Sequence, residues 1–229
     1  MRRVTSVELL DEDRGSPEEI QSSLDDLWRI NRWLGGVTSS LRLLDHFFSR
    51  TGSHPVRILD VGSGDARLAA RLKAELLRRK IPVEFVVLDR RFSHLAGARS
   101  SRPAGVGMPP VVADVFALPF AERSFDVVIC NLFLHHFSGD HERHLLISLA
   151  SVAREAVLIN DLERHLLPYL FIRVAIPFAR SRITRNDGPA SVRQSYTREE
   201  LAALAGGAGC RSFEVERIPP FRLGLTLWK

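Results

Sequence analysis

The segment ILDVGSGDA at residues 58–66 contains the residue types that a nucleotide-binding turn needs. A short apolar run passes into Gly62 and Gly64, and Asp60 stands two positions ahead of the first glycine. Glycine lets the backbone turn tightly beside a ligand, and free backbone N–H groups at the start of a following helix favour an anion. Many nucleotide binders share such a turn, so the residues around it must identify the ligand.

Acidic residues stand at or near the ends of the three apolar runs that would form neighbouring strands: Asp60, Asp89 and Asp114. The GxGxxG spacing of dinucleotide folds is absent, and these carboxylates do not suit a phosphate-bearing cofactor. S-adenosylmethionine has no pyrophosphate but brings a sulfonium, an ammonium and a carboxylate. Asp60 can oppose its cationic groups, Asp89 can accept hydrogen bonds from both ribose hydroxyls, and Asp114 suits the adenine amino group.

Residues 56–161 resemble the core of the class I S-adenosylmethionine-dependent methyltransferases. The matching residues are the Asp60-x-Gly62-x-Gly64 turn, Asp89, Ala113-Asp114-Val115 with Leu118-Pro119-Phe120, and Phe125-Asp126-Val127-Val128. The family's third glycine is Ala66 here. The resemblance implies S-adenosylmethionine as cofactor, S-adenosylhomocysteine as its product, and Asn131 beside the reactive methyl. The cofactor-binding residues that it implies are Asp60, Gly62, Ser63, Gly64, Asp89, Arg90, Asp114, Val115, Asn131 and Leu132.

Histidines follow two of the expected strands, at the edge where ligands gather in sheets of this kind. A hydroxyl acceptor must lose a proton on methylation, and a neutral imidazole with a pKa of about 6.5 suits that task. His165 is the first candidate base because it neighbours Asp161 and Arg164, and His136 and His135 come next. No carboxylate–histidine set has the spacing of metal ligands, so no metal is expected.

Aromatic and basic residues of the flanking segments are candidates for binding the acceptor. Trp28, Trp33 and Tyr169 would cover an aromatic acceptor or pack against the core. Arg164 and Arg193 would hold an anionic acceptor or pair with nearby acidic residues. Both interpretations remain open for each residue at this stage.

Residues 28–205 are similar to small ubiquinone/menaquinone-type methyltransferases of secondary metabolism, and this second resemblance implies a phenolic, enolic or quinolone-like acceptor. Enzymes that methylate a nucleic acid base nitrogen usually carry an Asn/Asp-Pro-Pro-aromatic run after the fourth strand, and residues 131–137 contain no proline, which argues against that activity. The leading hypothesis is O-methylation of a small aromatic or enolic compound, such as a phenol, pyrone or polyketide-like intermediate. The alternatives are N- or C-methylation of a quinolone- or quinone-type acceptor, an RNA methyltransferase, and a nicotinamide-binding oxidoreductase.

Apolar patterning predicts how these residues are positioned. Two helices are expected before residue 52, then five strands that alternate with helices, and a last pair of strands at 211–218 and 221–228. This order predicts an α/β, Rossmann-like, mostly parallel seven-stranded sheet with a final antiparallel pair and an N-terminal helical cap. We expect the cap at 1–52 and the cofactor-binding domain at 53–229. A helical insertion would cover the substrate at about 162–196, with a helix over 162–179 followed by a basic loop.

The composition narrows the classes of partner. The 32 basic and 27 acidic residues give a net charge of +5, and no run of five like charges appears, so nucleic acid is not the expected partner. Cys130 and Cys210 have no paired spacing, as in a reduced cytoplasmic protein. The longest apolar stretch, near 166–179, is broken by prolines and an arginine, so no membrane span is expected. A monomer and a homodimer are both compatible with the sequence.

Overall fold

The structure is a computed structural model that describes residues 1–101 and 107–229. Helices and strands alternate through most of the chain, as the apolar pattern predicts. The helices are α1 Pro17–Trp33, α2 Gly36–Thr51, α3 Arg67–Arg78, α4 Phe92–Ser101, α5 Asp140–Val152, α6 Leu166–Ala175, α7 Arg182–Gln194 and α8 Arg198–Gly206. The strands are β1 Val56–Val61, β2 Val83–Asp89, β3 Pro110–Val112, β4 Phe125–Asn131, β5 Ala153–Leu162, β6 Ser212–Ile218 and β7 Arg222–Trp228.

The strands form one seven-stranded sheet in the order β3-β2-β1-β4-β5-β7-β6. All neighbouring pairs from β3 to β5 are parallel, whereas β7 runs antiparallel to both β5 and β6. Ile58 and Leu59 are both fully buried because helices cover the two faces of the sheet, which is why these strands read as continuous apolar runs. The predicted Rossmann-like sheet with a final antiparallel pair is confirmed.

The first two helices pack in different ways. α1 starts with a capping box, in which Ser16 and Glu19 satisfy each other's backbone N–H groups. α2 starts at Gly36 and packs on β5 and β7. α1 instead packs against α7 and α4. α2 therefore belongs to the layer that covers the sheet, and the division into a cap at 1–52 and a domain at 53–229 stays a prediction.

The segment after β5 differs from the sequence interpretation in two places. The expected helix over 162–179 is shorter, because β5 extends to Leu162 before α6 begins. The expected basic loop before Tyr196 is mostly the helix α7, although Pro189 lies inside it. Burial of Ile183 in an apolar cluster with α1 outweighs the weak local preference against helix. In the described part of the chain, no helix is long and apolar enough to span a membrane.

Candidate functional site

A cavity of about 460 Å³ lies at the carboxyl edge of β1, β2 and β4. The turns that follow these strands form one wall, and α1 and α6 contribute another. The N-terminal segment 6–12 completes the lining. Ligands of doubly wound sheets bind at this edge, so the cavity is the candidate site. Its lining includes every residue that the sequence analysis assigned to the cofactor.

The glycine turn between β1 and α3 needs glycine for both conformation and space. Gly62 has φ +68° and Gly64 has φ +56°, in the left-handed region that side chains disfavour. A Cβ on Gly62 would lie 2.6 Å from Cδ2 of Phe133. Ala66 also has a positive φ, +59°, directly before α3, so the position of the family's third glycine keeps a glycine-like backbone conformation.

Asp60 is a buried carboxylate in the wall of the cavity. Burial and, to a smaller extent, the nearby Asp89 charge raise the pKa of Asp60, hydrogen bonds from Ser63 and Asn131 lower it, and the net pKa is about 7. The Ser63 hydroxyl donates to Oδ2 of Asp60 at 2.7 Å. A raised carboxyl pKa shows that the negative charge is under-compensated. A cationic ligand group beside Asp60 would compensate it, so the wall fits the ammonium of S-adenosylmethionine.

The other two acidic residues organise the turns that follow β2 and β3. Asp89 accepts hydrogen bonds from the backbone N–H groups of Gly64 at 2.8 Å and Arg91 at 2.9 Å. Asp114 accepts from the backbone N–H of Phe116 at 2.9 Å. Both carboxylates therefore hold the backbone of the turns that line the cavity, in addition to the ligand contacts that the resemblance implies.

His135 lies in a 3₁₀ turn after β4 and forms a buried pair with Asp161 of β5. Its ring Nδ1 lies 2.6 Å from Oδ1 of Asp161, and its backbone N–H donates to Oδ2 at 3.0 Å. Its other ring nitrogen, Nε2, lies 3.7 Å from Oε1 of Glu8. The ring is therefore held on one side by a carboxylate, and Nε2 is left available at the cavity wall.

His136 has a different electrostatic environment. Its Nδ1 lies 2.6 Å from Oδ2 of Asp11. Burial lowers the pKa of His136, but the carboxylates of Glu8 and Asp11 outweigh burial and raise it to about 10. His136 is then a cation at neutral pH, and a protonated imidazole does not accept a proton. The structure thus distinguishes two histidines that the sequence treated alike.

Glu8, His135 and His136 place potential metal-ligand atoms within 4.8 Å of one another. No metal was expected because no carboxylate–histidine set has ligand spacing in the sequence, and Glu8 is distant along the chain from the histidine pair. These three residues could hold an ion. In the structure, Oε1 of Glu8 accepts hydrogen bonds from Ser191 at 2.7 Å and from Gln194.

Comparison with known proteins identifies the core. A family model described as "Methyltransferase domain" matches residues 58–156. The match covers less than half of the chain, and within it residues 58–156 are similar to a methyltransferase domain. A curated relative, the malonyl-[acyl-carrier protein] O-methyltransferase of Methylococcus capsulatus, is 36% identical over 81 residues, which are 35% of this chain and 28% of that protein. The chain thus spans less than a third of that relative's length.

Solved structures share the fold of the methyltransferase domain and its flanking elements. The plantazolicin methyltransferase BpumL, crystallised with S-adenosylhomocysteine, superposes with a TM-score of 0.67 at 14% identity, covering 96% of this chain and 98% of that one. The magnesium protoporphyrin IX methyltransferase of Synechocystis gives 0.61 at 13% identity, covering 90% and 94%. A Nostoc punctiforme chain gives 0.60 at 15%, covering 87% of this chain and 59% of that one. Both the BpumL and the Synechocystis structures contain bound S-adenosylhomocysteine.

Among the candidate bases, only His135 and His136 line the cavity beside the methyltransferase domain's glycine turn. His165 is exposed, and its Nδ1 accepts a hydrogen bond from the backbone N–H of Leu167 at 3.2 Å. It caps the start of α6 and is absent from the cavity lining. The preference for His165 rested on its position after β5. The backbone turns there so that Asp161, and not His165, faces the other histidines.

The predicted acceptor-binding residues separate in the structure. Trp28 lines the cavity, whereas Trp33 is 76% exposed and does not. Tyr169 and Arg193 line a separate pocket of about 180 Å³. Arg164 is buried and donates to the carbonyl groups of Met1 and Ser195 and to the carboxylate of Glu200, so it ties segments together outside the cavity.

Sequence reasoning missed the contribution of the N-terminal segment and of Arg222 to the cavity. Glu8 and Asp11 lie in a polar stretch with no periodicity, and only the folded chain brings them beside His135 and His136. Arg222 had a detectable signal, because it is a charged residue at the start of the otherwise apolar run RLGLTLW. Every residue of that strand is buried, the arginine included.

Proposed function

We propose that this chain transfers a methyl group from S-adenosylmethionine to a hydroxyl oxygen of a small aromatic or enolic acceptor, such as a phenol, pyrone or polyketide-like intermediate of natural-product biosynthesis. One observation carries the proposal: the turns that would bind the cofactor line the same cavity as His135, whose ring is held from behind by the buried carboxylate of Asp161. The cofactor wall supports methyl transfer. The histidine–carboxylate pair supports an acceptor that must lose a proton.

The residues of the glycine turn and the strand ends would hold the cofactor, which supplies an electrophilic methyl group on its sulfonium when bound. Asp60 offers a carboxylate to the ammonium, and the backbone N–H groups of the turn offer donors to the carboxylate. Asp89 and Asp114 offer acceptors to the ribose and the adenine. Holding two reactants in a fixed orientation can contribute on the order of 7–11 kcal/mol in favourable cases.

His135 is the proposed general base. Burial raises the pKa of the Asp161 carboxyl, but the hydrogen bonds from the His135 ring and the Leu162 backbone and the nearby charge of His136 help to hold it below its usual value. An ionised Asp161 fixes the proton of His135 on Nδ1, so Nε2 carries the free lone pair. Nε2 would take the acceptor's hydroxyl proton as the oxygen gains the methyl group, and the bond to the sulfonium would break to leave S-adenosylhomocysteine. The resulting imidazolium lies between Asp161 and Glu8, which stabilise its charge.

His136 and Glu8 have supporting electrostatic roles in this proposal. The cationic His136 ring, paired with Asp11, favours the negative charge that develops on the acceptor oxygen. Glu8 faces both imidazoles, at 3.7 Å from His135 and 3.9 Å from His136. Transfer to oxygen is also the reaction named for the Methylococcus relative, a malonyl-[acyl-carrier protein] O-methyltransferase.

Methyl transfer from labelled S-adenosylmethionine to a panel of phenols, pyrones, enols and matched amines tests the proposal. We expect hydroxyl acceptors to be methylated, and His135→Gln to lower turnover by roughly 10²-fold or more with S-adenosylhomocysteine affinity unchanged. His144→Gln, at an exposed histidine of α5, is the matched control with wild-type turnover. Methylation of amines alone, or full turnover of His135→Gln, would overturn the proposal. Tight binding of NADH alone would overturn methyl transfer itself.

A further inference from the structure

Arg222 is a buried arginine that lines the cavity at the start of β7. Arg222 is only 1% exposed. In the antiparallel register it lies opposite Leu162, at the end of β5. A side chain of this size and charge is rarely buried without a partner, so its environment needs an explanation.

The guanidinium of Arg222 is incompletely paired. Its Nη2 donates to Oδ1 of Asn31 at 3.2 Å, whereas Nη1 is buried without a hydrogen-bond partner. Within residues 1–101 and 107–229, no carboxylate oxygen lies within 4.0 Å of it. Asp161 is the acidic residue that influences its charge, but both carboxylate oxygens of Asp161 accept hydrogen bonds from His135.

An unpaired buried cation is costly, because leaving water costs several kcal/mol per ion and no ion pair repays it. Burial lowers the pKa of Arg222 to about 10, so the side chain is still charged at neutral pH. Arg222 keeps its positive charge in the wall of a cavity although no anion in the protein pairs with it. This indicates that a bound ligand supplies the anion.

The strand order shows which ligand could supply it. The proposed cofactor wall lies on β1, β2, β3 and β4, and β5 separates β4 from β7. Strands lie about 4.8 Å apart, so β7 is about 10 Å from β4. The glycine turn already offers backbone donors to the cofactor's carboxylate. The missing anion therefore belongs to the acceptor.

We propose that Arg222 binds a carboxylate of the acceptor, which makes the preferred substrate a hydroxy acid with an aromatic or enolic body. This inference rests on the proposed methyl transfer, because it assigns the anion to the acceptor. A guanidinium binds a planar carboxylate through two parallel hydrogen bonds. The neighbouring lining of Leu34, Leu162, Phe171 and Phe221 suits the apolar body that would join this carboxylate to a hydroxyl near His135.

Isothermal titration of the chain saturated with S-adenosylhomocysteine tests the inference, with 4-hydroxybenzoate and 4-hydroxybenzamide as probes of equal size. We expect the acid to bind at least tenfold more tightly than the amide. Arg222→Met, which keeps an unbranched apolar stem, should remove that difference. Arg222→Lys should retain part of it. Binding of S-adenosylhomocysteine should be unchanged in both variants.

Equal binding of acid and amide to the wild-type chain would overturn the inference, whether or not the variants fold. So would a preference for the acid that persists in Arg222→Met. The outcomes separate this inference from the proposed function. Methylation of acid and amide at equal efficiency would support methyl transfer but reject the role of Arg222. Selective binding of the acid without methyl transfer to any hydroxyl would support the role of Arg222 but reject the proposed function.

Discussion

The carboxylate of Asp161 accepts hydrogen bonds from both the ring and the backbone of His135, with Oδ1 at 2.6 Å from Nδ1. The two residues come from the carboxyl ends of adjacent parallel strands, β4 and β5. Because both groups are buried, the contact is protected from water, and the ionised carboxylate fixes the ring in one orientation. The sheet itself thus sets the tautomer of the proposed base.

Asp161→Asn should lower turnover by roughly 10²–10⁴-fold, the range that general-base catalysis spans. An amide can donate to Nδ1, which would move the ring proton to Nε2 and block proton acceptance there. Steady-state kinetics and titration with S-adenosylhomocysteine measure the effect, and we expect the affinity to stay within about twofold. Glu163→Gln, two residues along and paired with Arg217, is the control. Equal losses in both variants would show that the effect comes from the segment and not from the histidine.

Cofactor affinity should depend on pH through Asp60, whose pKa is raised to about 7 by burial. Below pH 7 the carboxyl is protonated and cannot oppose the ammonium, so affinity should fall as the pH decreases. The fall between pH 8 and pH 5.5 should be on the order of tenfold. Titration with S-adenosylhomocysteine across that range measures it. Asp60→Asn should bind weakly with a flat profile, and a wild-type profile that is equally flat would contradict this role.

Gly62→Ala should abolish detectable cofactor binding, because a Cβ there would meet Phe133 at 2.6 Å and the residue would keep a positive φ. Gly64→Ala carries the same backbone strain, but its Cβ would meet only Leu24 at 3.7 Å. We therefore expect a milder loss at Gly64, and calorimetry with S-adenosylhomocysteine compares the two. Equal losses would mean that backbone strain, and not contact with Phe133, sets the effect.

His165→Ala should leave turnover close to wild type, since the imidazole is exposed and absent from the cavity lining. Removing the cap from the backbone N–H of Leu167 should lower the free energy of unfolding by on the order of 1 kcal/mol. Chemical denaturation and steady-state kinetics measure these two quantities. A large loss of turnover with unchanged stability would restore His165 as the base.

The cofactor-binding part of the site could be predicted, because its residues lie in short, continuous segments of the sequence. A strand, a glycine turn and a helix start follow one another at residues 58–66, so the position of Asp60 at the sheet edge follows from the alternation of elements. Asp89 and Asp114 are predictable for the same reason. The strands themselves were predictable because burial on both faces leaves continuous apolar runs.

The part of the site that would bind the acceptor and its base depends on contacts between distant parts of the chain, and no local sequence pattern encodes these contacts. Glu8 reaches His135 only because α7 and the N-terminal segment pack together. The end of β5 places Asp161, and not His165, against His135, although the two are close in sequence. α7 was missed for a related reason: Gly188 and Pro189 are typical of a loop, and tertiary packing outweighs them.

The N-terminal segment should detach from the cavity when its anchor on α7 is removed. Asp187 is buried and accepts hydrogen bonds from the backbone N–H groups of Leu9 and Leu10, both at 3.0 Å. Charge-assisted hydrogen bonds are the strong ones, worth about 1.5–3 kcal/mol each. Asp187→Asn should therefore speed hydrogen exchange at residues 6–12 by at least tenfold, measured by mass spectrometry.

The same variant should lower turnover more than cofactor affinity, because segment 6–12 carries Glu8 and Asp11 to the histidines whereas the glycine turn holds the cofactor. Asp140→Asn, at the start of α5, is the matched control, and its exchange at residues 6–12 should equal that of the wild type. Unchanged exchange in Asp187→Asn would mean that the ion pairs of His136 with Asp11 and Glu8 suffice to hold the segment. In that case the double change Asp187→Asn with His136→Gln would be needed to release it.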